Sequence, residues 1–316
     1  MANKKKIFID GEAGTTGLHI SQRLETRNDI ELIQLNSRDR KDKIVRKNAL
    51  NETDIAILCL PDAAAIEAVS LTEDPETVII DASSAHRVTD GWTYGFTEYG
   101  PQQRKAIKES KRITNPGCYA IGAISLLYPL ISREVIPRDH PLSIHAISGY
   151  SGGGKSLIAD FERNSTQLGK DGFSYGLHLN HKHLPEIQQL AGTDYSPVFS
   201  PSVGPYLQGM LVNIPLNLRT LANVWSAADL IELYNQHYAD EYFIQVADLN
   251  EIQRLEKLDP QTLNGTNNLK IYVLHNEKED QVMLVSQLDN LGKGASGQVV
   301  QTINLLLNMD EKTTLT

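Results

Sequence analysis

Short apolar runs alternate with segments of helical spacing along the first third of the chain. Runs of strand length occupy 6–10, 30–35, 54–60 and 77–80, and helical patterns occupy 18–27 and 61–71. This alternation predicts a parallel sheet joined by right-handed crossovers. We therefore predict an α/β fold whose N-terminal domain is a Rossmann-type doubly wound sheet.

The pattern changes after the turn sequence Asn115-Pro116-Gly117. Beyond it, strand patterns at 143–148, 212–218 and 270–274 mix with helical patterns at 119–131, 155–168, 226–237 and 295–307. The mixture predicts a second domain of α+β type, with the last helix returning to the first domain. We predict one domain of residues 1–116 plus 286–316 and another of residues 117–285.

Composition and charge limit the classes of molecule that this protein could bind. The 316 residues carry a net charge of −9, which disfavours binding to a nucleic-acid backbone. The apolar stretch behind Lys4, Lys5 and Lys6 is too short for a signal peptide, and no later stretch reaches the roughly 18 apolar residues of a membrane helix. We expect a cytoplasmic protein whose partners are small molecules, with no nucleic acid and no membrane. The two cysteines predict no disulfide framework.

A glycine-rich turn joins the first strand to the first helix. Its spacing is G-x-x-G-x-x-G, and its residues include Gly11, Ala13, Gly14, Thr15, Thr16 and Gly17. Free N–H groups and the positive end of the helix dipole at such a turn favour the pyrophosphate of a dinucleotide. A tight structural turn is the alternative, because it would need the same glycines.

The end of the second strand indicates which dinucleotide binds. An NAD site usually places a carboxylate there to hold the ribose hydroxyls, whereas this chain has Ser37 and Arg38. A hydroxyl and a guanidinium suit a 2'-phosphate, so the sequence favours NADP over NAD. The alternative for Arg38 is a solvated surface charge.

A second glycine-rich segment competes as a phosphate site. Residues 149–156 fit the Walker A pattern G-x-x-x-x-G-K-S and include Ser151, Gly152 and Lys155. The strand before it, 143–147, is polar for a buried central strand. The segment could therefore hold a substrate phosphate without Mg²⁺, and nucleotide hydrolysis stays an alternative.

The two cysteines have different surroundings. Cys118 follows Asn115-Pro116-Gly117 and precedes a helix, where partial positive charge favours the thiolate of a nucleophile. Cys59 lies in the apolar run 55–60 and is predicted to be a small core residue. An inert buried thiol remains the alternative for Cys118.

A dense polar cluster, His181-Lys182-His183-Leu184-Pro185-Glu186, could serve that nucleophile. His181 is a candidate acid or base, and Glu186 a candidate group to orient it. A third metal ligand is lacking nearby, so we predict no metal site. The alternative for His183 is a residue at a surface helix start.

Taken in order, these motifs resemble the shorter form of the N-acetyl-gamma-glutamyl-phosphate reductase family, within the aspartate-semialdehyde dehydrogenase-like group. The resemblance spans nearly the whole chain and rests on segments 9–17, 81–84, 115–119, 149–154, 181–186 and 290–298. It implies a second domain of the glyceraldehyde-3-phosphate dehydrogenase-like type and a homodimer or homotetramer.

The resemblance also implies roles for individual residues. Cys118 matches the family's catalytic cysteine and His181 its histidine, with Glu186 contributing. Asn290 and Gly292 would lie near the nicotinamide end of NADP. The residues implied to contact substrate are Ser83, Ser84, Arg87, Asn115, Ser151, Gly152, Tyr175 and His183. Longer members often have Arg where this chain has Lys182, which cannot form the same bidentate contact with an anion.

The implied reaction is reduction of an acyl phosphate with release of phosphate. Cys118 would form a thioester, and NADPH would reduce it to an aldehyde. Three other functions stay open from the residues alone. They are a related dehydrogenase of aspartyl or glyceraldehyde phosphates, a P-loop nucleotidase and an NADP sensor without catalysis. The chain length of the acyl phosphate is also open.

Overall fold

The structure is a computed structural model that describes residues 4–163 and 171–315. The chain divides into two compact units. The first unit comprises the described residues of Met1–Thr97, Pro101–Gly117 and Ala295–Thr316. The second comprises those of Glu98–Gly100 and Cys118–Gly294.

The first unit is built on a parallel sheet, as the alternating pattern predicts. Its strands are β1 (Lys5–Asp10), β2 (Ile30–Ile33), β3 (Ile55–Leu58), β4 (Val78–Asp81), β5 (Thr93–Tyr94) and β6 (Arg112–Thr114). They pair in the order β2-β1-β3-β4-β6-β5, and every recorded pairing is parallel. The Rossmann-type sheet is confirmed.

Helices complete the first unit. They are α1 (Thr15–Leu24), α2 (Lys43–Asn51), α3 (Asp62–Leu71), α4 (Gln103–Glu109) and, from the end of the chain, α10 (Gly297–Leu306). All of β3 is buried, and Ala65 and Ala68 give α3 a buried face of small side chains. In α10 nearly every residue is buried, and the amide of Gln298 donates to the carbonyl of Gly95.

The second unit contains a mixed sheet. Its strands are β7 (Ser143–Gly149), β8 (Phe173–Ser174), β9 (Val198–Gly204), β10 (Met210–Asn217), β11 (Ile244–Val246), β12 (Leu269–Asn276) and β13 (Gln281–Leu288). Their order is β11-β12-β13-β10-β7-β9-β8. Its helices are α5 (Cys118–Ile131), α6 (Gly154–Glu162), α7 (Leu184–Ala191), α8 (Ala227–His237) and α9 (Leu249–Arg254). The predicted α+β character is confirmed.

The central helix of this unit, α5, is buried along almost its whole length. Gly122 allows it to approach the sheet, because a Cβ there would lie 2.8 Å from Ser286 Oγ and from Val212 Cγ2. The Ser286 hydroxyl donates to the Gly122 carbonyl at 3.0 Å. The helix that begins at Cys118 is therefore fixed firmly on the sheet.

Three differences from the predicted bounds bear on the site. The first helix begins at Thr15 rather than 18, because the glycine turn leads straight into it. The predicted helix 155–168 begins at Gly154 and is described to Glu162, while residues 164–170 lie outside the described residues. The predicted first domain includes 286–294, yet β13 runs to Leu288 in the second sheet and that unit extends to Gly294.

Gly11 illustrates how closely the glycine turn packs. Its φ is +88°, and a Cβ there would lie 2.3 Å from the carbonyl oxygen of Cys59. The Cys59 oxygen is a backbone atom, and the backbone of Gly11 fixes where a Cβ would lie, so no side-chain rotation could relieve the contact. Gly91 has a similar φ of +82°, but a Cβ there would meet nothing within 4 Å.

This pair gives a matched test of backbone approach. Both Gly11→Ala and Gly91→Ala should lose about 1–2 kcal/mol of unfolding free energy to the left-handed backbone. Gly11→Ala should lose a further ~1–3 kcal/mol because its methyl group meets the Cys59 carbonyl. Urea unfolding of both variants measures the difference, and equal losses would show that the close contact is not rigid.

Candidate active site

The glycine turn between β1 and α1 fits an anionic group. Gly14 occupies the N-cap position of α1 and supplies no side-chain hydrogen bond to the helix. A Cβ at Gly17 would lie 2.6 Å from the carbonyl oxygen of Gly11, so a side chain would fill the turn. The Thr15 hydroxyl oxygen is buried without a hydrogen-bond partner among the described residues. Free N–H groups and this hydroxyl suit a dinucleotide pyrophosphate.

The predicted 2'-phosphate residues lie just beyond β2. Ser37 and Arg38 are exposed, and the Arg38 backbone N–H donates to the Asn36 side chain at 3.0 Å. Arg40 is held differently: its guanidinium donates to Glu12 Oε2 at 3.1 Å and to the Leu35 carbonyl at 3.0 Å. Arg40 therefore braces the glycine turn, whereas Arg38 presents its side chain to solvent.

A buried carboxylate orders the loop after β4. Asp81, fully buried, accepts from the backbone N–H and the hydroxyl of Ser83, both at 2.8 Å. The Nδ1 atom of His86 lies 2.6 Å from Asp81 Oδ2, and the His86 ring stacks on Trp92. Ser83 is therefore held by the protein itself.

Other predicted substrate residues surround this loop in the first unit. The Ser84 hydroxyl donates to Asp62 Oδ2 at 2.8 Å. Arg87 donates to the backbone carbonyl of Asn115 at 3.1 Å and of Ala82 at 3.3 Å. The structure thus brings Ser83, Arg87 and Asn115 together at the carboxyl ends of β4 and β6.

Cys118 is the first residue of α5 and is half-buried. Its position confirms the predicted helix start. The backbone of Gly294 packs directly on it, because a Cβ at Gly294 would lie 2.8 Å from the Cβ of Cys118. A half-buried thiol at a helix N-terminus can be reached by a small electrophile and benefits from the helix dipole.

Two tyrosines lie beside Cys118. Burial raises the pKa of Tyr175 to about 12, with a lowering contribution from its hydrogen bond with Tyr119 and a raising one from negative charge at Cys118. Burial also raises the pKa of Tyr119, and its hydroxyl donates to the Ser202 carbonyl at 3.2 Å. Both phenols are therefore neutral near neutral pH, next to the thiol.

His181 meets these tyrosines. Its Nε2 lies 3.4 Å from the Tyr175 hydroxyl, and its ring contacts Tyr119 edge-on at 5.9 Å. Its Nδ1 accepts the backbone N–H of His183 at 3.1 Å. Since Nδ1 accepts a hydrogen bond, the neutral ring carries its proton on Nε2. His181 thus presents a donor on the side of Tyr175.

The rest of the polar cluster is arranged around α7. His183 is buried and stands at the N-cap of this helix, and its ring lies 4.7 Å from that of His181. Glu186 is buried in the first turn, whereas Lys182 is exposed. The Nδ1 atom of His181, which an orienting carboxylate would engage, is bound by backbone instead. A role for Glu186 in orienting His181 stays a prediction.

The second glycine-rich segment forms a 3₁₀ turn, Tyr150–Gly153, between β7 and α6. The buried Ser151 accepts from the amide of Asn290 at 2.9 Å, and Asn290 accepts from the Gly209 backbone N–H at 2.8 Å. Two residues predicted for different ligands are therefore in contact. The strand before this turn, β7, lies in a mixed sheet and pairs antiparallel with β10. A P-loop instead follows a strand of a parallel sheet, so this setting differs from that of a P-loop.

Sequence reasoning missed Tyr119 and Asp289. The ring of Tyr119 contacts those of His181, His183 and Phe199. Asp289 is buried and accepts from the backbone N–H groups of Leu291 and Gly265 at 2.9 and 2.8 Å. Tyr119 follows the predicted Cys118 in the sequence, and Asp289 precedes the predicted Asn290. This adjacency is the sequence signal that could have identified them.

Two family models match the chain. Residues 6–109 match the family model described as semialdehyde dehydrogenase, NAD binding domain. Residues 118–290 match the model described as semialdehyde dehydrogenase, dimerisation domain. The glycine turn falls in the first match, and Cys118 and His181 fall in the second.

Curated relatives resemble the chain over nearly its full length. An N-acetyl-gamma-glutamyl-phosphate reductase 2 from Pseudomonas putida is 48% identical over 301 residues, which cover 95% of this chain and 96% of the relative. An N-acetyl-gamma-glutamyl-phosphate reductase from Burkholderia lata is 47% identical with the same coverage of both chains.

Solved structures share the fold. Aspartate semialdehyde dehydrogenase II from Vibrio cholerae, complexed with ASA, superposes with a TM-score of 0.76 at 14% identity, covering 97% of this chain and 99% of that one. The Candida albicans aspartate semialdehyde dehydrogenase with NADP gives a TM-score of 0.65 at 14% identity, covering 99% of each chain.

The fold and the site define a semialdehyde dehydrogenase-type oxidoreductase with a Rossmann dinucleotide unit. Within that group, the chain belongs to the N-acetyl-gamma-glutamyl-phosphate reductase family. Among the described residues, no helix is both long and apolar enough to cross a membrane, and no three metal-binding side chains are grouped to hold an ion.

The two cysteines should differ sharply in reactivity. Desolvation and then the negative charges of Asp81 and Asp10 raise the pKa of Cys59 to about 12, so it holds almost no thiolate near neutral pH. We expect iodoacetamide at pH 7–8 to modify Cys118 first, as located by peptide mass spectrometry.

Matched serine variants provide the control. Cys118→Ser should remove the fast phase of labelling, and Cys59→Ser should leave it intact. Fast labelling that persists in Cys118→Ser would assign the reactive thiol to Cys59 and contradict the site.

Proposed function

We propose that the chain reduces N-acetyl-L-glutamyl 5-phosphate to N-acetyl-L-glutamate 5-semialdehyde with NADPH, as a step of arginine biosynthesis. The observation that carries the proposal is the placement of Cys118 at the start of α5 beside Tyr175, whose hydroxyl meets His181. Relatives of this name at 47–48% identity over nearly the whole chain give the substrate.

Covalent catalysis by Cys118 accounts for the release of phosphate. The Cys118 thiolate forms a bond from its sulfur to the acyl carbon, the bond from that carbon to the phosphate oxygen breaks, and phosphate leaves with the electron pair of that bond and takes up a proton from water. A thioester remains on Cys118. Its carbonyl accepts hydride far more readily than a carboxylate would, and breaking the carbon–sulfur bond then releases the aldehyde and restores the thiolate.

His181 would stabilise charge on oxygen in both halves of the reaction. Addition of sulfur to the acyl carbon places negative charge on the carbonyl oxygen, and so does addition of hydride. The proton on Nε2 faces the region of Cys118 and Tyr175, where such an oxygen would form. A preorganised donor at this place lowers the barrier without transferring its proton.

The glycine turn and the end of β2 would hold the dinucleotide. When bound, NADPH supplies the hydride. The first turn of α1, which begins at Thr15, offers its N–H groups and the buried Thr15 hydroxyl to the pyrophosphate, and exposed Arg38 is available to a 2'-phosphate. Asn290 and Gly292 stay predicted contacts of the nicotinamide end.

Substrate phosphate has two candidate anchors. The segment 149–154 ends at the N-terminus of α6, where Gly153 caps the helix without a side-chain hydrogen bond and Lys155 follows. Arg87 offers a guanidinium already fixed by the carbonyls of Asn115 and Ala82. The quaternary structure is a separate proposal. We propose that the chain forms a homodimer or homotetramer through the second unit, and the match of that unit to a dimerisation domain supports this. A cytoplasmic location stays a prediction.

Replacing the nucleophile tests the covalent route. Cys118→Ser should lower kcat for N-acetylglutamyl phosphate by about 10³-fold or more while leaving NADPH affinity within about twofold. Oxidation of NADPH is followed by the loss of its absorbance, and NADPH affinity is measured by fluorescence titration.

Cys59→Ser serves as the matched control and should turn over normally. The reverse reaction, from the semialdehyde with phosphate and NADP⁺, replaces the forward assay if the acyl phosphate decomposes. Turnover of Cys118→Ser near the wild-type rate would exclude the thioester.

Cofactor selectivity tests Arg38. Arg38→Ala should raise KM for NADPH by about 10-fold and change KM for NADH by less than about twofold, because only NADPH carries the 2'-phosphate. Arg40→Ala is the comparison: it removes the contact to Glu12 in the glycine turn and should weaken both dinucleotides alike. An equal effect of Arg38→Ala on both cofactors would remove its assigned role.

A further inference from the structure

A charged pair is completely enclosed within the second unit. Nζ of Lys293 lies 2.8 Å from both carboxylate oxygens of Glu98. The two side chains are 0% and 1% exposed. The ammonium lies 5.5 Å from the centre of the buried Phe243 ring. Desolvation chiefly raises the pKa of the buried Tyr238, and the charge of nearby Glu98 adds to that rise.

Stability alone does not explain a pair in such surroundings. Removing two charges from water is costly, and apolar side chains of similar volume are often as stabilising as a buried pair, or more so. What the pair provides is a fixed geometry between two segments of main chain. One ammonium bound to both oxygens of one carboxylate sets the distance between the main chain at Lys293 and that at Glu98.

The residue after Lys293 contacts the proposed nucleophile. The next residue, Gly294, packs on Cys118: a Cβ there would lie 2.8 Å from Cys118 Cβ and 3.3 Å from Cys118 Cα. The Gly294 N–H donates to the Asp289 carbonyl at 2.9 Å, which closes the turn. Residues Gly292–Ser296 have π-helical geometry, which is rare and often found at functional sites.

We propose that Lys293 and Glu98 are positioning residues for Cys118. The pair holds the turn Gly292–Ser296 in place, so that the Gly294 backbone restricts the Cys118 side chain and keeps its sulfur at the N-terminus of α5. The kinetic consequence rests on the proposed reductase function. The effect on the thiol itself does not, so it can be measured separately.

The decisive variant replaces the pair with two apolar side chains of similar length, Glu98→Met with Lys293→Met. We expect it to keep a thermal transition close to that of the wild type, because no unpaired charge is left. Its kcat should fall about 10-fold or more, with KM for the acyl phosphate within about twofold. The midpoint of the pH profile for iodoacetamide labelling of Cys118 should move upward as the sulfur leaves the helix N-terminus.

A second variant guards against loss of folding. Glu98→Asp keeps both charges and withdraws the carboxylate by one methylene, and it should show the same changes to a smaller extent. The matched control is Lys270→Met with Glu251→Met, a less buried ion pair between β12 and α9 of the same unit. That control should leave kcat and the labelling profile unchanged.

The outcomes separate the two claims. Wild-type kcat and a wild-type labelling profile in whichever pair variant folds would overturn the positioning role. If the wild-type protein reduces no acyl phosphate but the pair variants still shift the labelling profile, positioning stands and the proposed function fails.

Discussion

The lack of a side chain at Gly294 is the constraint on which the reactive part of the second unit depends. Only glycine allows the backbone after β13 to touch the Cβ and Cα of Cys118. That contact requires a tightly closed turn, which the hydrogen bond from Gly294 N–H to the Asp289 carbonyl supplies. The start of α5 is thus supported by a segment near the C-terminal end of the chain, and contacts between segments so distant in sequence form slowly during folding.

Buried carboxylates order the loops that carry the candidate site. Asp289 binds the N–H groups of Leu291 and Gly265, and in the first unit Asp81 binds Ser83 and His86. Each carboxylate stands just beyond or at the end of a strand, where regular pairing stops. Because both are surrounded by donors, they hold irregular backbone in one conformation. The loops therefore gain rigidity without secondary structure.

The sequence predicted those features that depend on local pattern. Alternating runs located β1, β3 and α3, and the turn before Cys118 located the start of α5. The strand β13 was missed, although Gln281–Leu288 pairs along its length with both β10 and β12. Lys293 also gave no local signal, because its partner Glu98 is 195 residues away. The strand β13 and the burial of Lys293 both depend on pairing between segments that are far apart in the sequence, which local composition does not reveal.

The hydrogen bond between His183 N–H and His181 Nδ1 changes the role that the polar cluster can play. A base that removes the thiol proton would need a free lone pair on Nε2, and this ring has its proton there instead. The proposed reaction does not need such a base in every step, because the helix N-terminus favours the thiolate of Cys118 and release of the aldehyde restores it. It does create negative charge on the same oxygen twice. An imidazole that donates from Nε2, next to two neutral phenols, suits that demand better than a triad would.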